Sequence, residues 1–248
     1  MIFLKRFVYS CFFVLSFNTY VFCQLISLKK EESKKYEFSN IFDPDYGLNI
    51  YEKLVFSIGG DSVRRDSRGY NVQGWIEDFY TDGKVLHKGF YTDGYLTVFK
   101  NYFPNGQVER LFKVQDNRKC EMSIYYEDGK LKSDIKFFKG HAQKTYEYYS
   151  NGALEYLEEY DKECQYYYKR NGFSEDGKPK FSFEITDKKK KLFDKKEFFE
   201  NGKLKEQGQM VFLSGISDYR KEGVWEYYDE TGQLLKKENY HNGELINE

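Results

Sequence analysis

Neither sign of charge is in excess in this chain. Thirty-nine Lys and Arg stand against 40 Asp and Glu, a formal net charge of −1 over 248 residues. That balance excludes a nucleic-acid binder driven by a global positive field, and an acidic disordered tail as well. Metal and nucleotide motifs are missing too. There is no Cys-x-x-Cys pair and no Cys/His cluster, so no zinc site is signalled. The three histidines, His87, His141 and His241, fall at unrelated phases of the repeat described below and do not converge on one metal. Neither Gly-x-Gly-x-x-Gly nor Gly-x-x-x-x-Gly-Lys occurs, and no Ser/His/Asp or Cys/His motif marks a nucleophile. Carboxylate pairs such as Glu158-Glu159 are what 40 acids produce by chance. The residues therefore point to a protein that is not an enzyme and needs no cofactor and no metal.

Proline is scarce, at three residues, while glycine reaches 20 and the aromatics 20% of the chain, with 24 Tyr and 23 Phe. That much ring surface supports a folded core and argues against wholesale disorder.

The first 23 residues have the layout of a secretory signal. Lys5 and Arg6 precede a mostly apolar run from Phe7 to Phe22, and Gln24 opens a polar stretch. Ser10, Ser16, Asn18 and Thr19 dilute the run, which disfavours a stable spanning helix. Removal of residues 1–23 leaves Cys120 and Cys164 as the only cysteines. The reading places the mature protein in the periplasm, at the cell surface or in the medium. Residues 24–37 form a polar lead-in, and residues 38–69 a cap or a degenerate first repeat around Gly60. Residues 70–248 form the repeat proper.

That repeat is marked by Asp/Asn-Gly steps, degenerate in the last copy, where Thr231 precedes Gly232. Gly83, Gly106, Gly129, Gly152, Gly177, Gly202 and Gly232 follow one another at 23, 23, 23, 25, 25 and 30 residues. A recurrence of this length signals a repeat architecture. In a three-residue hairpin loop two residues make a type I turn and the third takes φ > 0, which suits glycine. Each copy is thus a β-hairpin. Thr92-Asp93-Gly94 and His241-Asn242-Gly243 supply return turns. The charged stretch 178–196 is expected to hold an enlarged loop, and residues 212–222 a second insertion.

The flanks set a register. Phe79, Tyr102, Tyr125, Tyr148 and Phe198 should pair with Val85, Val108, Leu131, Leu154 and Leu204. We expect this aromatic-on-aliphatic ladder to be buried, with a thin core because Glu77, Lys100 and Lys196 share its face. Tyr80, Phe103, Tyr126, Tyr149 and Phe199 then face outward. Rings about 10 Å apart on one face form a candidate partner-binding stripe. In an open array Cys120 and Cys164 lie about two repeats apart, or roughly 19 Å, too far for a disulfide.

The phrase Gly223-Val224-Trp225-Glu226-Tyr227-Tyr228, followed by Gly232, Leu234 and Tyr240, resembles a MORN repeat. So does Gly74-Trp75 with Phe79-Tyr80, Gly83 and Gly89-Phe90-Tyr91. The aromatic pair, the Asp/Asn-Gly turn and the Lys-Leu after it are most similar to the bacterial MORN-repeat variant of YwqK-type antitoxin proteins. The resemblance covers roughly residues 70–246. It implies an all-β chain, with tandem antiparallel β-hairpin repeats in one elongated twisted meander sheet, acting as a scaffold that binds a protein partner. The alternative is a module that binds carbohydrate or cell envelope through the aromatic stripe.

Overall fold

The computed structural model describes residues 34–37, 42–43, 48–116 and 118–246; of Phe42, Asp43 and Leu48 it describes the backbone alone. The expected signal segment lies outside the described residues. Among them, no helix is long and apolar enough to cross a membrane.

The strands are β1 (Lys35–Tyr36), β2 (Phe42–Asp43), β3 (Leu48–Asn49), β4 (Gly74–Tyr80), β5 (Val85–Thr92), β6 (Tyr95–Tyr102), β7 (Val108–Asp116), β8 (Lys119–Tyr125) and β9 (Leu131–Phe138). They continue as β10 (His141–Tyr148), β11 (Leu154–Tyr160), β12 (Tyr167–Phe173), β13 (Pro179–Asp187), β14 (Leu192–Phe198), β15 (Leu204–Leu213), β16 (Asp218–Tyr228), β17 (Leu234–His241) and β18 (Glu244–Leu245). Sixteen of them make one open sheet in which β4 to β18 pair in chain order and β1 lies beside β4. Successive hairpin strands are antiparallel; only β1 runs parallel to its neighbour.

The seven loop glycines do what the spacing requires. Their φ angles are 88, 88, 83, 87, 83, 82 and 89°. In the first loop the Gly83 N–H donates to the Tyr80 carbonyl at 2.9 Å, and the Tyr80 N–H to the Lys84 carbonyl at 2.8 Å. The Asp82 side chain accepts from the Lys84 N–H at 3.0 Å, which fixes the turn locally. At the opposite ends of the strands, Asp93-Gly94 (φ 50 and 78°) and Asn242-Gly243 (φ 51 and 90°) form tight two-residue turns of the primed kind.

The predicted pairs are all present: Phe79 with Val85, Tyr102 with Val108, Tyr125 with Leu131, Tyr148 with Leu154 and Phe198 with Leu204. Immediately beyond them the register slips by one residue. Asp78 pairs with His87, so Leu86 is a bulge; Asn101 pairs with Arg110, so Glu109 is another. The slip recurs beside each of the seven loops.

The expected burial is reversed. Glu77, Lys88, Lys100, Leu111, Ser123 and Asp134 pair across consecutive strands as one row on a polar face, and Phe79 shares that face. Tyr80 lies on the other face and is 5% exposed. The ladder pairs are half-buried. The physical reason is a segment that the local register could not weigh. Two 3-10 turns, Glu52–Leu54 and Phe56–Ile58, lay Tyr51 and Val55 onto the Tyr80 face. Tyr51 and Val55 are 1% and 0% exposed in a core with Leu86, Tyr91, Phe99 and Phe112. Burying two such side chains contributes roughly 1.5–3 kcal/mol each. Residues around Gly60 are therefore a cap and form no hairpin. Gly60 itself is needed for close approach, since a Cβ there would lie 2.6–2.7 Å from the carbonyl oxygens of Glu52, Lys53 and Val55.

The two expected insertions also differ from their reading. Residues 178–196 are β13 and β14 joined by the Lys188–Lys191 turn, and the later extra residues lengthen β15 and β16 to 10 and 11 residues. Cys120 and Cys164 are free thiols, as the array geometry requires.

Candidate functional site

Two stretches of the Tyr80 face carry concentrated chemistry, one under the cap and one beyond it.

Under the cap, β4, β5 and β6 bring Asp78, His87 and Asn101 side by side, and the loop before β4 supplies Arg64. Arg64 donates both terminal nitrogens to Asp78 at 2.8 Å, and the Tyr51 hydroxyl donates to Asp78 Oδ2 at 2.8 Å. His87 bridges Tyr91 at 3.0 Å and Asn101 at 2.7 Å, and its ring stacks on Tyr51 at 3.7 Å. Burial would push the Asp78 pKa up. The Arg64 hydrogen bonds and charge, with the Tyr51 hydroxyl, outweigh it and hold the carboxyl below its usual range. Burial drives His87 down to about 4, so the ring is neutral at pH 7. Further along, Arg110 pairs with Glu52 of the cap and, at 3.2 Å, with Glu109. Burial raises the Glu109 pKa against the opposing pull of Arg110. Asp78, His87 and Asn101 are 0, 0 and 2% exposed. Such a network ties the cap to the sheet and is closed to solvent. Nothing local in the sequence marks His87 as buried, because the groups around it come from the cap and from neighbouring hairpins. Among the described residues, no group of three or more His, Cys, Asp or Glu is placed to hold a metal ion.

Beyond the cap the same face changes character. One row of paired residues reads Phe99, Phe112, Met122, Ile135 and Thr145, then Glu158, Arg170, Phe183 and Lys195. The aliphatic part lies in the core beneath Tyr51 and Val55; charges enter past it. Here Phe183, Phe193 and Phe212 form a second cluster with Tyr166, Tyr167, Ile185, Met210 and Tyr219. All of these come from β12–β16 or the turn before β12. The rings pack on one another, with Phe183 and Phe193 stacked at 4.9 Å. An open groove of about 360 Å³ runs over them, bounded by Arg170, Phe181, Lys195 and Tyr219.

The five residues of the expected stripe share the Tyr80 face. Tyr80 is buried, and Phe103, Tyr126, Tyr149 and Phe199 are half-buried, so none is an exposed ring. Three of their hydroxyls are engaged. Tyr80 donates to the Tyr102 carbonyl at 2.7 Å, Tyr126 to that of Tyr148 at 2.7 Å, and Tyr149 to that of Phe173 at 2.9 Å. Each links one hairpin to the next. The groove residues of β12–β16 were not singled out by the sequence. Their only local signal is mid-strand glycine: Gly172 lies under Phe181 and Gly208 under Trp225, where a Cβ would sit 2.4 Å from ring atoms.

Three stretches, residues 121–139, 194–211 and 221–242, match the family model described as MORN repeat variant. Those three stretches are MORN-variant repeats. In the fold these stretches are β8–β9, β14–β15 and β16–β17, each a hairpin or most of one. No curated protein matches the chain. Among solved structures it is similar to an S. aureus TarM mutant in complex with Fondaparinux, alpha-GlcNAc-glycerol and UDP. That match has 12% identity over 50% of this chain and 19% of the other, with a TM-score of 0.23. A TcdB2-TccC3-TEV structure matches at 11% identity over 73% of this chain and 12% of the other, with a TM-score of 0.17. The chain thus spans a fifth or less of either structure.

Proposed function

We propose that this MORN-variant chain is an exported, non-catalytic scaffold that binds a protein partner through the part of its aromatic face beyond the cap. The observation that carries the reading is the division of that face. Over the first hairpins the chain supplies its own cover, with Tyr51 and Val55 fully buried. Over β12–β16 the packed residues come from the sheet and its adjoining turn alone. An open groove lined by Phe181, Phe183, Met210 and Tyr219, with Arg170, Lys195 and Glu197 at its rim, is left there for a partner. The non-catalytic part rests on Asp78, His87 and Asn101 being sealed beneath the cap. Export rests on the layout of residues 1–23.

The test is affinity capture with residues 24–248 from the envelope fraction of the source cell, with mass spectrometry of what is retained. A single stoichiometric protein is expected. Recovery of polysaccharide without protein would favour the carbohydrate-binding alternative and would overturn the scaffold reading.

A further inference from the structure

The groove over β12–β16 differs from the capped half in the state of its cations. Under the cap, Arg64 and Arg110 are each held by carboxylates. Over the groove, Lys195 is held in the same way, by Glu197 at 2.7 Å and Glu206 at 3.1 Å. Glu158 accepts from the Tyr156 hydroxyl at 2.6 Å. Two cations remain. Arg170 donates to the Tyr156 hydroxyl at 2.9 Å and lies 5.5 Å from the Tyr167 ring centre and 5.6 Å from that of Phe181. Lys221 donates to the Tyr227 hydroxyl at 2.7 Å and lies 4.2 Å from the Trp225 ring centre. Among the described residues, neither has a carboxylate within salt-bridge reach, and Arg170 is exposed. Hydroxyls and ring faces are weaker partners for a cation than a charge-assisted carboxylate.

Arg170 sits on β12 and Lys221 on β16, four strand steps apart. At about 4.8 Å per step, plus an offset of one residue pair along the strands, they stand roughly 20 Å apart. An extended chain covers that distance in about six residues. By register, Phe183, Phe193 and Met210 lie between, beside the groove rings Phe181 and Tyr219.

We propose that this groove seats an extended acidic segment of the partner protein. One carboxylate of the segment lies on Arg170 and another, about six residues away, on Lys221, with an aromatic or large aliphatic side chain between them on the ring cluster. The cap shows the same chemistry within the chain: Glu52 reaches Arg110 while neighbouring Tyr51 packs on the rings beneath it. The inference rests on the scaffold reading and narrows it to a partner class.

The experiment is selection from a random twelve-residue peptide library displayed on phage, against the chain of residues 24–248. A parallel selection uses the R170A/K221A double variant, whose fold is checked by its thermal midpoint. We expect enriched sequences with two Asp or Glu five to seven residues apart and a Trp, Phe or Leu between them. Synthetic peptides of that pattern should bind the double variant at least tenfold more weakly, and exchanging their acids for Lys should abolish binding. No enrichment, a basic consensus, or equal affinity for the double variant would overturn the proposal. The capture experiment separates the two levels. A protein retained equally by wild type and by R170A/K221A leaves the scaffold reading standing and removes the groove; no protein retained by wild type removes the scaffold reading itself.

Discussion

Asp78 and Arg64 show how much one pair of side chains decides. Both are nearly without solvent contact, at 0 and 4% side-chain exposure. Asp78→Ala leaves the Arg64 guanidinium buried without its counter-charge, which costs about 3–5 kcal/mol. Urea denaturation at pH 7 should show a loss of that size; a loss under 1 kcal/mol would mean that the cap is not docked as described. His87 gives the pH dependence. The folded ring resists protonation down to about 4 because it is buried, whereas an unfolded histidine takes its proton near 6.5. The unfolded chain therefore binds more protons between those values. Stability is full above about pH 6.5 and falls as pH drops toward 4. Asp78, whose carboxyl is held below its usual range, adds a loss of the same sign at lower pH. Urea midpoints measured from pH 7.5 to 4 should decline for the wild type and stay flatter for His87→Phe.

The hairpin was legible in the sequence because its glycines are chemically special. Gly129 holds φ at 83°, a conformation that β-branched residues resist. Gly129→Val should cost on the order of 2 kcal/mol, read as a lower urea midpoint with unchanged slope. The bulge after each loop was not legible. It falls on Leu86 in one copy and Glu109 in the next, residues with nothing in common, and it turns the second strand of every hairpin by one residue. That slip is why simple alternation faded a few positions from the loop. The links between loops were equally silent. Lys84 and Lys130 each donate to a carbonyl of the following loop at 2.8 Å, and Asn105 and Asn151 do so at 3.1 and 3.0 Å. In the Asn201 loop both kinds of link are made, Asn201 and Lys203 donating to carbonyls of the following loop at 2.9 and 2.7 Å. Mid-strand glycines act differently. A Cβ on Gly208 would lie 2.4–2.5 Å from the Trp225 ring, so Gly208→Ala should lift that ring into solvent. In a Trp75→Phe background, tryptophan emission should shift to longer wavelength; unchanged emission would contradict the packing.

At the scale of the whole sheet, two requirements compete: a repeat wants every hairpin alike, and a core wants one face covered. This chain covers the first hairpins with its own residues 49–64 and leaves the later ones to their rings. The reversed face assignment came from this division, since a cap packed from outside the repeat leaves no trace in the period of the repeat. The far edge is managed as well. β18 folds back on β17, and Lys236 and Lys237 stand on the strand that would otherwise be open, which discourages chain-to-chain pairing. In the proposed function the face beyond the cap, and not the polar face behind it, meets the partner. Phe181 and Glu184 lie on opposite faces of β13. A photo-reactive benzoyl-phenylalanine placed at each position in turn tests the claim directly in envelope extracts. We expect a cross-linked protein from position 181 and none from position 184; cross-linking from 184 alone would overturn the proposed function.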